Sequence, residues 1–386
     1  MKIFSSGVLV RLLALGVVNQ FAFLAPAADF WFDLGVATRG VMQYEVSGSS
    51  YVQLLGRHAA TGPLVEPASV GPRAAFADRT YDDGYVNLDE GTLNPDAVGG
   101  PGNTWNWAYN NPSQYAALNN TLLFHKRGDV GYTTLRDLPV EGETDATGAG
   151  LQVQAGWRVL QADPWQLDFT LGFQSIWGAC ARLRLSSYFE RISRYDVTDA
   201  YDVTTTVDPD TGFPLPQTVP GGYTGQYSVP GPVITNIPTT RTSTRVDLST
   251  AESEVDFHFT TDLYTFTLSP RVSYAASEGL TLHLAPKLGM TYLQVDADRK
   301  ESFVETTPGG ARSTLGAWHD QESESAWRFT FGLTAGGDWD LGDGYYAGIY
   351  GGYEWTLNDV RLNLGPNEIR FNGSGFVAGV VLGYRY

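Results

Sequence analysis

An all-β fold, closed into an antiparallel transmembrane β-barrel, is what the sequence predicts, and three observations carry it. Long segments alternate apolar residues with small or polar ones at every second position, the period of a strand with two different faces. Aromatic residues reach 13%, charged residues only 17%, and 44 Gly and 20 Pro favour strands and turns over helices. Beyond the N-terminal region no apolar run approaches the about 20 residues of a membrane helix. A multi-span helical membrane protein is therefore excluded.

Reading from the start, Lys2 and Arg11 precede a largely apolar stretch, Leu12 to Leu24, and Ala25-Pro26-Ala27 supplies small residues before Asp29. That order is the order of a secretory signal peptide, so residues 1–27 are expected to be cleaved and 28–386 to form the exported barrel.

Eight strands follow from the alternation. The first is 30–42, where Phe32, Leu34 and Val36 alternate with Asp33, Gly35 and Arg39. In 148–160, Leu151, Val153, Ala155 and Trp157 oppose Gln152, Gln154, Gly156 and Arg158. In 165–177, Leu167, Phe169, Leu171 and Phe173 oppose Asp168, Thr170 and Gly172. In 262–275, Phe266, Leu268, Pro270 and Val272 oppose Thr267, Ser269 and Arg271; in 279–295, Leu284, Pro286, Leu288 and Met290 oppose His283, Lys287 and Gly289. In 325–339, Phe329, Phe331 and Leu333 oppose Arg328, Thr330 and Gly332; in 345–357, Ile349, Tyr353 and Trp355 oppose Gly348, Gly352 and Glu354. The last is 373–386, where Phe376, Val380, Leu382, Tyr384 and Tyr386 oppose Gly379, Gly383 and Arg385. The polar parity is rich in Gly and poor in Lys and Glu, which a water-facing sheet would not be. Each strand is long enough for the roughly 9–11 residues that a tilted strand needs to cross a bilayer.

Connections alternate as well. Ala162-Asp163-Pro164, Ser277-Glu278 and Gly342-Asp343-Gly344 are tight, whereas 178–261, 296–324 and 358–371 are long and polar. Residues 43–147 and 178–261 are expected as long loop regions. Within the first, Tyr85 to Leu88, Thr104 to Tyr109 and Thr121 to Phe124 are strand-like, so ten or twelve strands stay open beside eight.

An eight-strand interior is just wide enough to fill with side chains. The inward parity would place Asp33, Arg158, Asp168, Arg271, Lys287, Arg328, Glu354 and Arg385 there. Strand neighbours suggest Asp168 beside Arg158 and Arg271, Glu354 beside Arg328, and Asp33 beside Arg385. The expectation is a lumen braced by ion pairs, with a narrow ion path as the functional alternative.

With this leader, these strands and the closing run Val380, Leu382, Tyr384, Tyr386, the chain resembles bacterial outer-membrane β-barrels of the small OmpA/OmpX kind. The resemblance implies location in the outer membrane, tight turns in the periplasm and long loops outside the cell. It also implies contact with outer-membrane lipid, and reading of that closing run by the barrel assembly machinery. A structural or surface-interaction role is expected, with a porin-like channel as the alternative.

Chemistry is sparse. A net charge of −17, from 42 acidic and 25 basic residues, argues against nucleic acid as a partner. Cys180 is the only cysteine, and the five His, at 58, 125, 258, 283 and 319, stand in no metal-ligand spacing, so neither cofactor nor metal is expected. Asp208 and Asp210 lack the spacing of a calcium loop. An outer-membrane hydrolase would draw on His258 with Asp256 and Asp262, or on His319 with Asp320, Glu322 and Ser323. There is no G-x-S-x-G elbow, and the expectation is a protein that is not an enzyme. The sequence sets no oligomeric state.

Overall fold

The computed structural model describes residues 30–55, 62–70, 77–88, 102–104, 106–204 and 233–386. The leader at 1–27, His58 and the Asp208/Asp210 segment lie outside the described residues.

In chain order the elements are β1 (Phe30–Gly48), a short helix α1 (Tyr51–Leu55), β2 (Arg79–Tyr81), β3 (Gly84–Val86), β4 (Asn103–Thr104), β5 (Trp107–Tyr109), β6 (Tyr115–Ala116), β7 (Thr121–Arg127) and β8 (Gly131–Asp137). Then come β9 (Gly142–Ala162), β10 (Trp165–Thr204), β11 (Val233–Thr235), β12 (Thr240–Ser277), β13 (Leu280–Thr306) and β14 (Arg312–Gly342). The chain closes with β15 (Tyr345–Thr356), β16 (Val360–Leu364), β17 (Asn367–Asn372) and β18 (Gly375–Arg385). The chain is all-β, as its alternation requires, and no described helix is long and apolar enough to cross a membrane.

Antiparallel pairing runs from β1 to β18, β15, β14, β13, β12, β10 and β9, and β9 returns to β1. The sheet thus closes on itself through eight strands. Its seam joins the ends of the chain's described part: Leu34 faces Leu382 and Phe32 faces Tyr384, and the Tyr386 N–H donates to the Phe30 carbonyl at 2.9 Å. The three tight turns fall where their Gly, Pro and Asp residues place them.

Two expectations need correction. Segments 178–261 and 296–324 are not simply loops, because β10 continues to Thr204, β12 starts at Thr240, β13 reaches Thr306 and β14 begins at Arg312. Segment 358–371 holds the β16–β17 hairpin, which pairs with the outer end of β1. The strand-like pieces of 43–147 do form strands, but none becomes a stave of the ring. β2, β3 and β5 make a separate small sheet, β4 pairs with β11, and β7 pairs along the far end of β10.

The long strands escape a simple alternation because the two faces exchange polarity halfway up. Below a belt of tilted aromatic rings in contact, Tyr264–Tyr292 at 6.3 Å and Tyr292–Trp327 at 5.3 Å, the outward face carries exposed Phe266, Leu268, Leu284, Leu288, Phe329 and Leu333. Above it the apolar side chains turn inward and form a core of Tyr44, Phe257, Phe259, Leu263, Leu293, Val295 and Phe371.

The exchange is made in two ways. On β12 and β13 the sequence itself switches parity, from Val255, Phe257, Phe259 and Leu263 to Phe266, Leu268 and Val272, with no register shift between the two strands at the switch. On β1 and β10 the apolar parity is kept and the backbone flips instead. Register shifts between Arg39 and Met42, and between Ile176 and Ala179, insert residues at Val41 (φ 62°) and Gly178 (φ 57°). Such bulges move every later side chain to the opposite face.

Deleting Gly178 should therefore turn Arg182 and Arg184 inward and the core-packing Leu183 and Leu185 outward. The expected result is an outer half that limited proteolysis degrades while the lower strands survive. Wild-type resistance of the whole chain would contradict this role of the bulge.

Candidate functional site

Polar side chains inside the lower half of the closed sheet form a connected cluster of ion pairs and hydrogen bonds. They arise from the inward parity below the belt, and the register decides which of them meet. At the bottom, Asp338 of β14 is the hub. It accepts from Arg271, from Arg385 at 2.8 Å, and lies 3.7 Å from His283 Nδ1. The Arg271 guanidinium reaches the same His283 nitrogen at 2.9 Å and stacks on Trp31, 4.7 Å from the ring centre. Trp31 in turn donates Nε1–H to Asp168 at 3.1 Å, and Arg158 approaches Asp168 at 3.8 Å. Asp33 accepts from the Tyr346 hydroxyl at 3.3 Å, and the Arg385 guanidinium covers that tyrosine ring at 4.4 Å.

Higher up, Glu354 accepts from Arg39 at 3.0 Å and from Lys287 at 3.3 Å, and Arg39 also donates to Thr356 at 3.3 Å. A hydroxyl ladder follows, Thr265 to Thr291 at 2.9 Å and Thr291 to Thr330 at 2.6 Å. The apolar core then fills the interior, with Tyr44 stacked on Phe259 at 4.3 Å and leaning on Phe371 at 4.6 Å. What is left inside the polar zone is a cavity of about 20 Å³, room for one water-sized group.

Seven of the eight charges assigned to the lumen, Asp33, Arg158, Asp168, Arg271, Lys287, Glu354 and Arg385, stand in this cluster, but several partners differ from expectation. Arg271 lies opposite Asp168 in register yet bonds across to Asp338. Arg385 likewise goes to Asp338, because Asp33 faces Gly383 and leaves Arg385 one inward step away, opposite Trp31. Arg328 is the eighth, and it does not meet Glu354. The register sets Glu354 against Gly332, so Arg328 lies two inward steps higher and donates to the Asn358 and Asp359 carbonyls at 3.2 Å each.

Asp338, Arg39 and Trp31 are the members that sequence reasoning missed. Each lies on the inward parity of a recognised strand. Asp338 is one inward step beyond Gly336, and Asp33 and Arg39 share a face. Of the closing run, Val380, Leu382 and Tyr386 point outward and are more than half exposed, and Tyr384 packs edge-on to Tyr345 and Tyr386.

The outer half holds its own buried ionic tie. Arg299 bonds Glu301, Asn367 at 2.7 Å and Asp320 at 3.4 Å, and Glu301 accepts the Tyr51 N–H at 2.8 Å, which anchors α1 in the outer mouth. Neither histidine group considered for hydrolysis is assembled. His258 points outward and exposed; Asp256 is engaged by Arg182, whose hydrogen bond holds that carboxyl below its usual range, and Asp262 accepts the Gly178 N–H at 2.8 Å. His319 meets Asp298 at 2.7 Å, while Asp320 faces inward to Arg299 and Tyr51. Among the described residues no group of His, Cys, Asp and Glu could hold a metal ion.

No protein-family model and no curated protein matches the chain at the sequence level. Among solved structures it is similar to the outer membrane protease OmpT of Escherichia coli, at 8% identity and a TM-score of 0.27, over 93% of this chain and 97% of that one. It is also similar to the toluene transporter TodX of Pseudomonas putida, at 7% identity and a TM-score of 0.17, over 94% and 91%. A FadL homologue of Pseudomonas aeruginosa stands at 10% identity and a TM-score of 0.18, over 92% and 90%. Superpositions this loose carry neither fold nor function across.

Proposed function

We propose that the chain is an integral outer-membrane β-barrel whose eight closed strands cross the bilayer below the aromatic belt, with a structural or surface-interaction role and a lumen that does not conduct. The observation that carries the reading is the exchange of polarity at the belt. A sheet that exposes Leu268, Leu284, Leu288, Phe329 and Phe376 and hides Asp33, Asp338 and Arg271 is inside out for water and correct for lipid. From Tyr264 to Tyr274, strand residues rising about 3.3 Å each and tilted by about 40° span about 25 Å, the height of an outer-membrane apolar band.

The lumen is closed twice, by the ion-paired zone and by the apolar core above it, and this favours the structural role over a pore. The protein acts without catalysis in this reading, and its partners are outer-membrane lipid and, during biogenesis, the assembly machinery that reads Val380, Leu382, Tyr384 and Tyr386. A surface role would use the outer half, which presents β10, β12, β13 and β14 beyond the membrane.

Planar-bilayer recording tests the reading. The wild-type protein is expected to give no steady current. A large ohmic current would make the lumen a channel and overturn the structural role.

A further inference from the structure

The wall of the closed sheet is breached between β12 and β13. Between β12 and β13 the ladder runs to Leu268↔Leu288 and resumes at Val272↔Leu284, so Pro270 and Pro286 face each other with no pairing between. A proline carries no N–H, and inside a sheet it is tolerated at edges or bulges. Neither strand is an edge: β10 pairs with Pro270 through Phe169, and β14 with Pro286 through Leu333. Two facing prolines remove both cross-strand N–H donors at one level.

Their carbonyls are served by a single side chain. The buried Ser269 hydroxyl contacts the Pro286 carbonyl and, at 3.2 Å, the Pro270 carbonyl. The neighbouring carbonyls turn to the other seams, Ser269 to Thr170 at 2.9 Å and Ala285 to Thr334 at 3.4 Å. One rotatable hydroxyl, with a single proton shared between two carbonyls, thus stands where two ladder bonds would be.

The cavity of about 20 Å³ lies directly behind this breach, lined by Ser269, Arg271, Ala285 and Lys287. Asp33 and Asp338, each 1% exposed, also line it, and each has one carboxylate oxygen without a hydrogen-bond partner, as has Arg271 Nε. The site therefore offers acceptors and a donor in a space for one small group, a complement to a hydroxyl. Above it the apolar core closes the axis. Below it the Arg271 and Arg385 ion pairs to Asp338 stand between the cavity and the turn end. Through the wall, Pro270 and Pro286 share the outward face with Leu268, Val272, Leu284 and Leu288.

We infer that the Pro270–Pro286 breach is a lateral portal through which the hydroxyl head of a bilayer-dissolved amphiphile reaches the Asp33–Asp338–Arg271 cavity. The inference rests on the reading of this band as lipid-facing. Parting of β12 and β13 at that level needs only the Ser269 contacts to break, because neither proline contributes a ladder donor there.

The test places a cysteine in the cavity wall, Ala285→Cys, in a Cys180→Ser background, in lipid vesicles. The probes are N-dodecylmaleimide, which dissolves in the bilayer, and a charged water-soluble methanethiosulfonate. The portal predicts labelling by the maleimide at least tenfold faster than by the charged reagent. Restoring the ladder with Pro270→Val and Pro286→Val should slow the maleimide at least tenfold, and dodecanol should slow it more than dodecane does.

Equal labelling by the charged reagent would show axial access, and an unchanged rate in the restored ladder would show that the prolines do not matter; either overturns the portal. Equal effects of dodecanol and dodecane overturn the hydroxyl assignment. Leu284→Cys, on the outward face, separates the premises. If the maleimide labels it but never Ala285→Cys, the portal fails and the lipid-facing reading stands; if it labels neither, both fail. Should the valine variant not fold, amide exchange of the unaltered protein decides. Leu268, Val272, Leu284 and Leu288 beside the breach should exchange at least tenfold faster than Ala285 and Lys287, which face β14. Equal protection would overturn the inference.

Discussion

Replacing Asp338 by alanine is expected to lower stability by about 3–5 kcal/mol, the cost of leaving buried charges without their partner. Arg271 and Arg385 both bond this carboxylate, which is 1% exposed, and His283 leans on it from the same side. Its removal leaves two guanidiniums facing each other, with Asp33 and Asp168 as the remaining acids nearby. Urea unfolding in lipid vesicles reads the loss directly. Leu333→Val, on the outward face five residues away on the same strand, is the control and should change stability by less than about 1 kcal/mol, since lipid replaces the lost contact. A change at Asp338 no larger than at Leu333 would mean that the lower lumen is not held by its ion pairs.

Phe259→Ala is expected to cost about 3–5 kcal/mol as well, by a different mechanism. This ring is fully buried, stacked on Tyr44 at 4.3 Å and on Phe257 at 6.0 Å, so its loss opens a cavity that the surrounding staves, tied on both sides, cannot close. Urea unfolding should show the loss, while planar bilayers should still show no steady current, because the ion-paired zone below remains shut. A current in this variant would show that the apolar core alone closes the axis.

The lower half of the sheet was legible because one physical demand acts along the whole strand. An apolar outward face and a narrow polar interior write a period of two that runs from Tyr264 to Tyr274 and from Leu282 to Tyr292 without interruption. The upper half was not legible for the opposite reason. Crossing the belt reverses what each face must be, and the chain meets that reversal by a parity change on β12 and β13 but by extra residues at Val41 and Gly178 on β1 and β10. A search for unbroken alternation therefore stops at the belt. Alternating Met42, Tyr44 and Val46, and Val255, Phe257 and Phe259, were visible signals of strands that continue.

Lumen membership followed from parity, whereas pairing did not. Which acid meets which base depends on side chains that reach across the interior, as Arg271 and Arg385 do toward Asp338. The register also separates Arg328 from Glu354 by two inward steps, a distance that strand order alone does not reveal. The breach at Pro270 and Pro286 was present in the sequence as two prolines in two strands, but only the register sets them opposite one another.

A spin-label scan along the outward face of β12, at positions 258, 260, 266, 268 and 272, with the protein in lipid vesicles, locates the apolar band relative to the bilayer. A water-soluble nickel relaxant is expected to reach labels at 258 and 260, oxygen dissolved in the bilayer to dominate at 266, 268 and 272, and the crossover to fall at Tyr264. Access of the nickel reagent to all five positions would contradict the lipid-facing reading, because the apolar band would then face water.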